Sequence, residues 1–206
     1  MQSAAWAGSA IHVKKDVRNI ESAINFFMRG RVGAYVALQS SKYANCGYSR
    51  SMTARDGDGW IECACSSKHW GKHGAAGLLI IRDGAVFLQH RAPWVHNGDT
   101  WGIPGGARDS HESIIEGAIR EAVEETGIKP EDLQPVHTFT DDHEGWSYST
   151  VIAFANENLE GRELNDESHE VRWVKFDDVT RLPLHPSFAK TWPQVRTIID
   201  ELEAIA

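Results

Sequence analysis

Hydrophobic and polar positions change period several times along the 206-residue chain, and each change predicts an element. Val13, Val17, Ile20, Ile24 and Phe27 recur at helical spacing and predict one amphipathic helix near the start. From Gly74 the pattern tightens. Residues 78–82 and 86–90 read as strands, and Asp83-Gly84 between them is a hairpin signal. Further strands are expected near residues 136–139, 148–155 and 171–176. Helices fit residues 112–126 and 193–204, the second starting just after Pro193 with Val195, Ile198, Ile199 and Leu202 on one side. Strands mixed with two such helices predict an α/β or α+β sheet covered by helices.

The helix over 112–126 carries an unusual second face. At 100° per residue, Ile115, Ala118, Ile119 and Ala122 fill one sector, while Glu121, Glu124 and Glu125 share another about a third of a turn away. Like charges three and four residues apart cost about 0.2–0.5 kcal/mol each, and Arg120 offsets only part of this. An acidic run is ordinarily a solvated face. Clustered carboxylates are also the ligands preferred by hard divalent ions such as Mg²⁺ or Mn²⁺. Gly117, one turn before Glu121, leaves room for a diphosphate, and Gly105 and Gly106 let backbone approach a metal closely.

Composition narrows the function classes. The net charge of −8 is divided unevenly: residues 1–51 carry 7 basic and 2 acidic residues, and the remainder carries 14 basic and 27 acidic. An acidic body argues against gripping long nucleic acid through its phosphates. No apolar run approaches the roughly 18 residues that span a membrane, and the N-terminus lacks a secretory pattern, so a soluble cytoplasmic protein is expected. Cys46, Cys63 and Cys65 are too few, and odd in number, for a disulfide framework, and reduced thiols are expected. Residues 1–51 form a basic N-terminal extension. Either they are dispensable, with translation starting at Met52, or they are a helical arm packed on the domain. The main domain is expected over 52–206, with 52–73 as a Cys- and His-containing lead-in.

The spacing around the acidic helix is specific. In GGARDSHESIIEGAIREAVEETGI (residues 105–128), Gly106, Glu112, Arg120, Glu121, Glu124, Glu125 and Gly127 stand at the fixed offsets of a 23-residue signature. This stretch resembles the complete signature of the Nudix hydrolase superfamily, and a weaker resemblance runs from about Gly74 to the C-terminus. The resemblance implies an α/β/α sandwich with a mixed β-sheet between helices. It also implies Mg²⁺-dependent (or Mn²⁺-dependent) hydrolysis of a nucleoside diphosphate linked to another group. Carried over by position, Glu121, Glu124 and Glu125 would bind metal with the Gly105 carbonyl. Arg120 would orient Glu124, and Glu112 would brace the loop to the helix. The implied partner is a small nucleotide, with no long nucleic acid and no membrane, and homodimerisation is left open.

Other positions gain candidate roles from the same resemblance. DESHEVRW (residues 166–173) resembles the segment in which relatives carry a further acidic ligand or base, with Glu167 the first choice and Glu170 the second. Arg91 stands where relatives place a phosphate-contacting arginine. Phe188 and His185 are candidates for the nucleoside pocket, and Trp101 is expected to pack the core beside the metal loop. The Trp-x-x-Pro-Gly-Gly approach (residues 101–106) resembles MutT-like nucleoside-triphosphate pyrophosphohydrolases, although Ala107 stands where these often carry Lys. Asp142, His143 and Glu144 occupy the region where ADP-ribose hydrolases show Pro. An oxidised dNTP such as 8-oxo-dGTP, or another dNTP, is therefore favoured over ADP-ribose, NADH or a nucleotide sugar. ECACSSKHWGKHG offers zinc-type donors in Cys63, Cys65, His69 and His73, but its C-x-C spacing and the lack of a second Cys pair favour buried thiols and surface histidines without stoichiometric zinc.

Overall fold

The computed structural model describes residues 55–163 and 166–205. The helix expected over 13–27, Cys46 and the Met52 boundary lie outside them. A short hairpin comes first, from β1 (Trp60–Glu62) and β2 (Lys68–Trp70), paired antiparallel. The main sheet follows with β3 (Ala75–Arg82), β4 (Ala85–Arg91), β5 (Trp101–Gly102) and β6 (Gly105–Ala107), then helix α1 (Ile114–Thr126). β7 (Leu133–Asp142), β8 (Ser147–Ala155), β9 (Ser168–Lys175) and helix α2 (Pro186–Ile205) complete the described chain. The path of the sheet is β5-β4-β3-β8-β7, with β6 on β3 and β9 on β4. β3 and β8 run parallel and the other pairs antiparallel, so the sheet is mixed.

Side-chain alternation on the central strands builds a core on each face. Leu78 and Ile80 of β3 join Val151 and Ala153 of β8 beneath Ala118, Ile119 and Ala122 of α1. Leu79 and Ile81 face the opposite way, joining Leu88 and Ile152 against Trp192, Val195, Ile199 and Leu202 of α2. Seven of the eight β3 residues are buried, as expected for a strand covered on both sides. This is the expected α/β/α sandwich. The β3–β4 turn has positive φ at both Asp83 (52°) and Gly84 (68°), which suits the twist of a two-residue hairpin.

α1 begins at Ile114 because Ser113 caps it: the Ser113 hydroxyl accepts from the Glu116 amide at 3.2 Å, and the Glu116 carboxylate accepts from the Ser113 amide at 2.9 Å. Gly127 ends it in the left-handed conformation. Ile115 does not join the core as the periodicity predicts; it is 40% exposed in the first turn, where Ile114 has only partial cover. α2 starts seven residues before the position expected from Pro193. Pro186 provides a start, and Pro193 is accommodated inside the helix. Both Pro193 and Ala189, whose carbonyl loses its partner, lie on the exposed side, where solvent can take the freed group.

Strand divergence prepares the site. β3 pairs with β4 only through residues 80–82 and gives residues 75–77 to β6, while the far end of β4 pairs with β5. The Gly-Gly segment of β6 therefore lies beside β3, under the C-terminal half of α1.

Candidate active site

The three glutamates of α1 sit in different surroundings. Glu125 is 5% exposed, and one carboxylate oxygen accepts from the Gly105 amide at 2.9 Å and from Gln89 Nε2 at 3.1 Å. Gln89 is in turn held by the Ser168 hydroxyl at 3.0 Å. Glu121 lies over Gly106, where an added Cβ would stand 2.7–2.9 Å from its carboxylate atoms. A side chain there would push the Glu121 carboxylate from this position. Glu124 is the most open of the three, with its side chain one-third exposed.

Crowded burial perturbs these acids. Glu121 is pushed up to about 8, first by burial and then by the charge of Glu124. Glu125 is likewise pushed up to about 8, by burial and then by Glu121. Burial in low dielectric disfavours the ionised form, and a like charge nearby adds to the effect.

Two arginines face the cluster. Arg120 forms a fork with Glu112, Nε to Oε1 at 2.5 Å and Nη2 to Oε2 at 2.9 Å, and Nη2 also donates to the Ala107 carbonyl at 2.9 Å. Its Nη1 lies 2.6 Å from Glu121 and 3.5 Å from Glu124, so Glu121 is the carboxylate it positions most closely. Glu112 also accepts from the Asp109 amide at 3.0 Å, tying loop to helix. The second arginine is Arg55, which pairs with Glu124 and lies 3.6 Å from Glu121. No sequence signal pointed to Arg55, because it stands 66 residues before Glu121 and outside any motif. It is placed by lead-in contacts to the pre-helix loop: Gly57 N–H to Asp109 at 3.0 Å, and Ser110 N–H to Asp56 at 3.0 Å.

The remaining candidates differ in their surroundings. Arg91 ends β4 just past a register shift after His90; its charge lowers the Glu125 carboxyl, and its guanidinium reaches the His96 carbonyl at 3.3 Å. Glu167 immediately precedes Ser168, and its carbonyl accepts from the Ala92 amide at 2.8 Å, so its backbone abuts the Ser168–Gln89–Glu125 chain. Glu170 pairs in register with His90, whose ring stacks on Trp101 at 4.8 Å, and lies 3.9 Å from Arg172, which covers the same indole. That is the α2 side of the sheet, away from the α1 glutamates.

Trp101 is buried in the core as expected, but on the α2 side. Phe188 is in the same core, 6% exposed with its ring 5.5 Å from Trp192, so it offers little face to a nucleoside base. His185 is pushed down to about 4 by burial and is held by Asn97 at 3.0 Å. Of the zinc-type donors, Cys63, Cys65 and His69 converge, but His73 does not join them; it lies 4.0 Å from Asp56. Cys65 is exposed and Cys63 half-buried, contrary to the expectation of buried thiols.

The chain resembles known proteins over most of its described residues. Residues 71–195 match the NUDIX domain family. A protein of Mycobacterium tuberculosis with the provisional name 8-oxo-dGTP diphosphatase 3 is 48% identical over 153 residues, covering 69% of this chain and 70% of that protein. A nucleoside triphosphate pyrophosphatase/Nudix hydrolase fusion protein of Bifidobacterium longum is 45% identical over 155 residues; the match covers 71% of this chain but only 32% of the fusion protein. The crystal structure of a Nudix hydrolase from M. smegmatis, RenU, aligns with a TM-score of 0.66 at 46% identity, covering 70% of this chain and 96% of that one.

Proposed function

The chain belongs to the NUDIX domain family, and on that premise we propose that it hydrolyses a pyrophosphate bond of a nucleotide with the help of a divalent cation held by α1. The substrate class we favour is a (d)NTP or oxidised dNTP such as 8-oxo-dGTP, cut to the monophosphate. The observation that carries the reading is the burial of Glu121 and Glu125 beside Glu124, with two carboxyls pushed up to about 8. Buried acids crowded together in this way are candidates for a functional site. The name of the Mycobacterium relative supports the substrate class.

The residues fit a hard cation such as Mg²⁺ or Mn²⁺. The donor set is all oxygen, the Gly106 cradle brings backbone against Glu121, and Arg55 and Arg120 show that this face attracts positive charge. Glu121, Glu124 and Glu125 would hold the ion, with the Gly105 carbonyl. Bound there, it would withdraw charge from the pyrophosphate oxygens and acidify the attacking water.

The chain's own groups do the rest. Glu112 fixes Arg120, and Arg120 fixes Glu121, so the carboxylate geometry is set before substrate arrives. Gln89 and the Gly105 amide lock Glu125. Arg91 binds a substrate phosphate oxygen, and Glu167 takes the proton from water. Arg55 competes with the cation for Glu121 and Glu124.

A phosphate-release screen over dNTPs, oxidised dNTPs, ADP-ribose, NADH, dinucleoside polyphosphates and nucleotide sugars, with and without Mg²⁺, tests the reading. Mg²⁺-dependent release of pyrophosphate from a (d)NTP is expected. Turnover confined to ADP-ribose or a nucleotide sugar would refute the substrate class, and binding without any turnover would refute hydrolysis.

A further inference from the structure

The β1–β2 hairpin presents a puzzle of stability. Each strand has three residues, and its two tryptophans, Trp60 and Trp70, are 53% and 41% exposed. A two-stranded hairpin with so little apolar cover is marginal alone. Yet it is docked against the turn between β7 and β8, where Cys63, Cys65 and His69 meet His143.

We propose that Cys63, Cys65, His69 and His143 form a structural zinc site that staples the β1–β2 hairpin to the β7–β8 turn. The potential ligand atoms of the four residues all lie within 4.8 Å of one another. A tetrahedral zinc with Zn–S about 2.3 Å and Zn–N about 2.0 Å has ligand atoms about 3.3–3.8 Å apart, so pairs need close by at most about 1.5 Å and the Cys65–His69 pair opens slightly. The Cys65 sulfur is already 3.1 Å from His69 Nε2, and the Cys63 sulfur is 3.0 Å from the His143 carbonyl. Two sulfurs and two imidazoles select zinc over the hard ions suited to α1. With four protein ligands, no position remains for a substrate.

The surroundings resemble those of an oriented metal ligand set. Asp141 accepts from His143 Nε2 at 3.1 Å and is itself paired with Lys190 at 3.1 Å, which fixes the imidazole and leaves its other nitrogen for the metal. The His69 ring stacks on Trp146 at 4.0 Å and 8°, and Trp146 donates from Nε1 to the Gly71 carbonyl at 3.0 Å. Zinc uptake would release to solvent the proton of each thiol that becomes a thiolate ligand. The fourth ligand lies 74 residues beyond His69, which is why local spacing pointed away from zinc.

The test uses the full chain purified without chelator. About one zinc per chain is expected by elemental analysis. Co²⁺ added to metal-stripped protein should give thiolate-to-cobalt charge transfer together with strong tetrahedral d–d bands. Cys65→Ser and His143→Ala should each weaken zinc binding at least tenfold, and Asp141→Asn by about 10- to 100-fold. His73→Ala and Glu124→Gln should keep full zinc content. The cobalt spectrum of the wild type decides even if a variant fails to fold. Absence of the thiolate band, zinc lost with Glu124→Gln but kept in Cys65→Ser, or a Cys63–Cys65 disulfide in fresh protein would overturn the proposal.

Discussion

Two corners of this molecule gather metal-type donors in opposite ways. On α1 and the loop before it, four carboxylates, Glu112, Glu121, Glu124 and Glu125, come from one 14-residue stretch, and Arg120 and Arg55 pair with the first three. At the hairpin, two thiols and two imidazoles come from segments separated by the main sheet's first strands and all of α1. The first corner is hard and charged, with an opening at Glu124; the second is soft and has its coordination positions filled by protein. Oxygen donors around an open position suit chemistry on a phosphate, whereas a closed S₂N₂ set suits only stability.

The largest effect that would separate the corners is on turnover. Glu124→Gln should lower hydrolysis by about 10³-fold, the scale of losing a group that stabilises transition-state charge, and steady-state rates with saturating nucleotide check this. The same substitution relieves repulsion, so metal-free protein should melt no lower than wild type. A related sign follows from pH. Glu121 and Glu125 are acids whose folded values, about 8, lie above the unfolded value near 4.5, so the folded state holds more protons between these limits. Metal-free stability should therefore fall as pH rises from about 4.5 to about 8, with the penalty complete above that. Denaturant melts at pH 5, 7 and 9 would show it, and saturating Mg²⁺ should flatten the slope.

Next in size, Glu167→Gln should cost about 10²-fold, the lower range for a general base, and flatten the rise of rate with pH. Glu170→Gln should change the rate less than threefold, because Glu170 shares a face with Trp101 and Arg172 on the α2 side. Equal losses in the pH–rate profiles of both variants would contradict the assignment of the base to Glu167.

At the other corner the effect should fall on stability. Cys65→Ser should lower the melting temperature of zinc-loaded protein by about 4–8 °C, for roughly 2 kcal/mol of lost cross-link. Calorimetry with and without zinc would check that the loss needs the metal. The smallest change concerns Arg55, a half-exposed competitor for the carboxylates. Arg55→Ala should tighten cation binding by up to about fivefold, the range for a partly exposed ion pair, as read from the Mg²⁺ concentration at half-maximal rate.

The same contrast explains what the sequence reveals. The α1 corner is legible because helical geometry turns spacing directly into proximity: offsets of three and four residues place Glu121, Glu124 and Glu125 together. Strand alternation likewise gives the two-sided core, since adjacent residues such as Leu78 and Leu79 must face opposite ways. What escapes is long-range. Arg55 reaches the glutamates through contacts of Asp56 and Gly57 that no periodicity encodes. His143 replaces His73 in the Cys/His cluster because the β7–β8 turn, not the neighbouring chain, packs there. α2 begins early because Pro193 falls on its exposed side, and Phe188 thereby becomes core. Residues 1–51, whose composition set them apart, lie outside the described structure.

The central claim is that the α1 carboxylates hold a hard divalent cation, and Mn²⁺ binding followed by electron paramagnetic resonance tests it directly. Wild-type protein with its zinc retained should bind Mn²⁺ at neutral pH. Glu124→Gln should weaken that binding at least tenfold, while His73→Ala leaves it unchanged. Mn²⁺ affinity that is the same in wild type and folded Glu124→Gln would contradict the account.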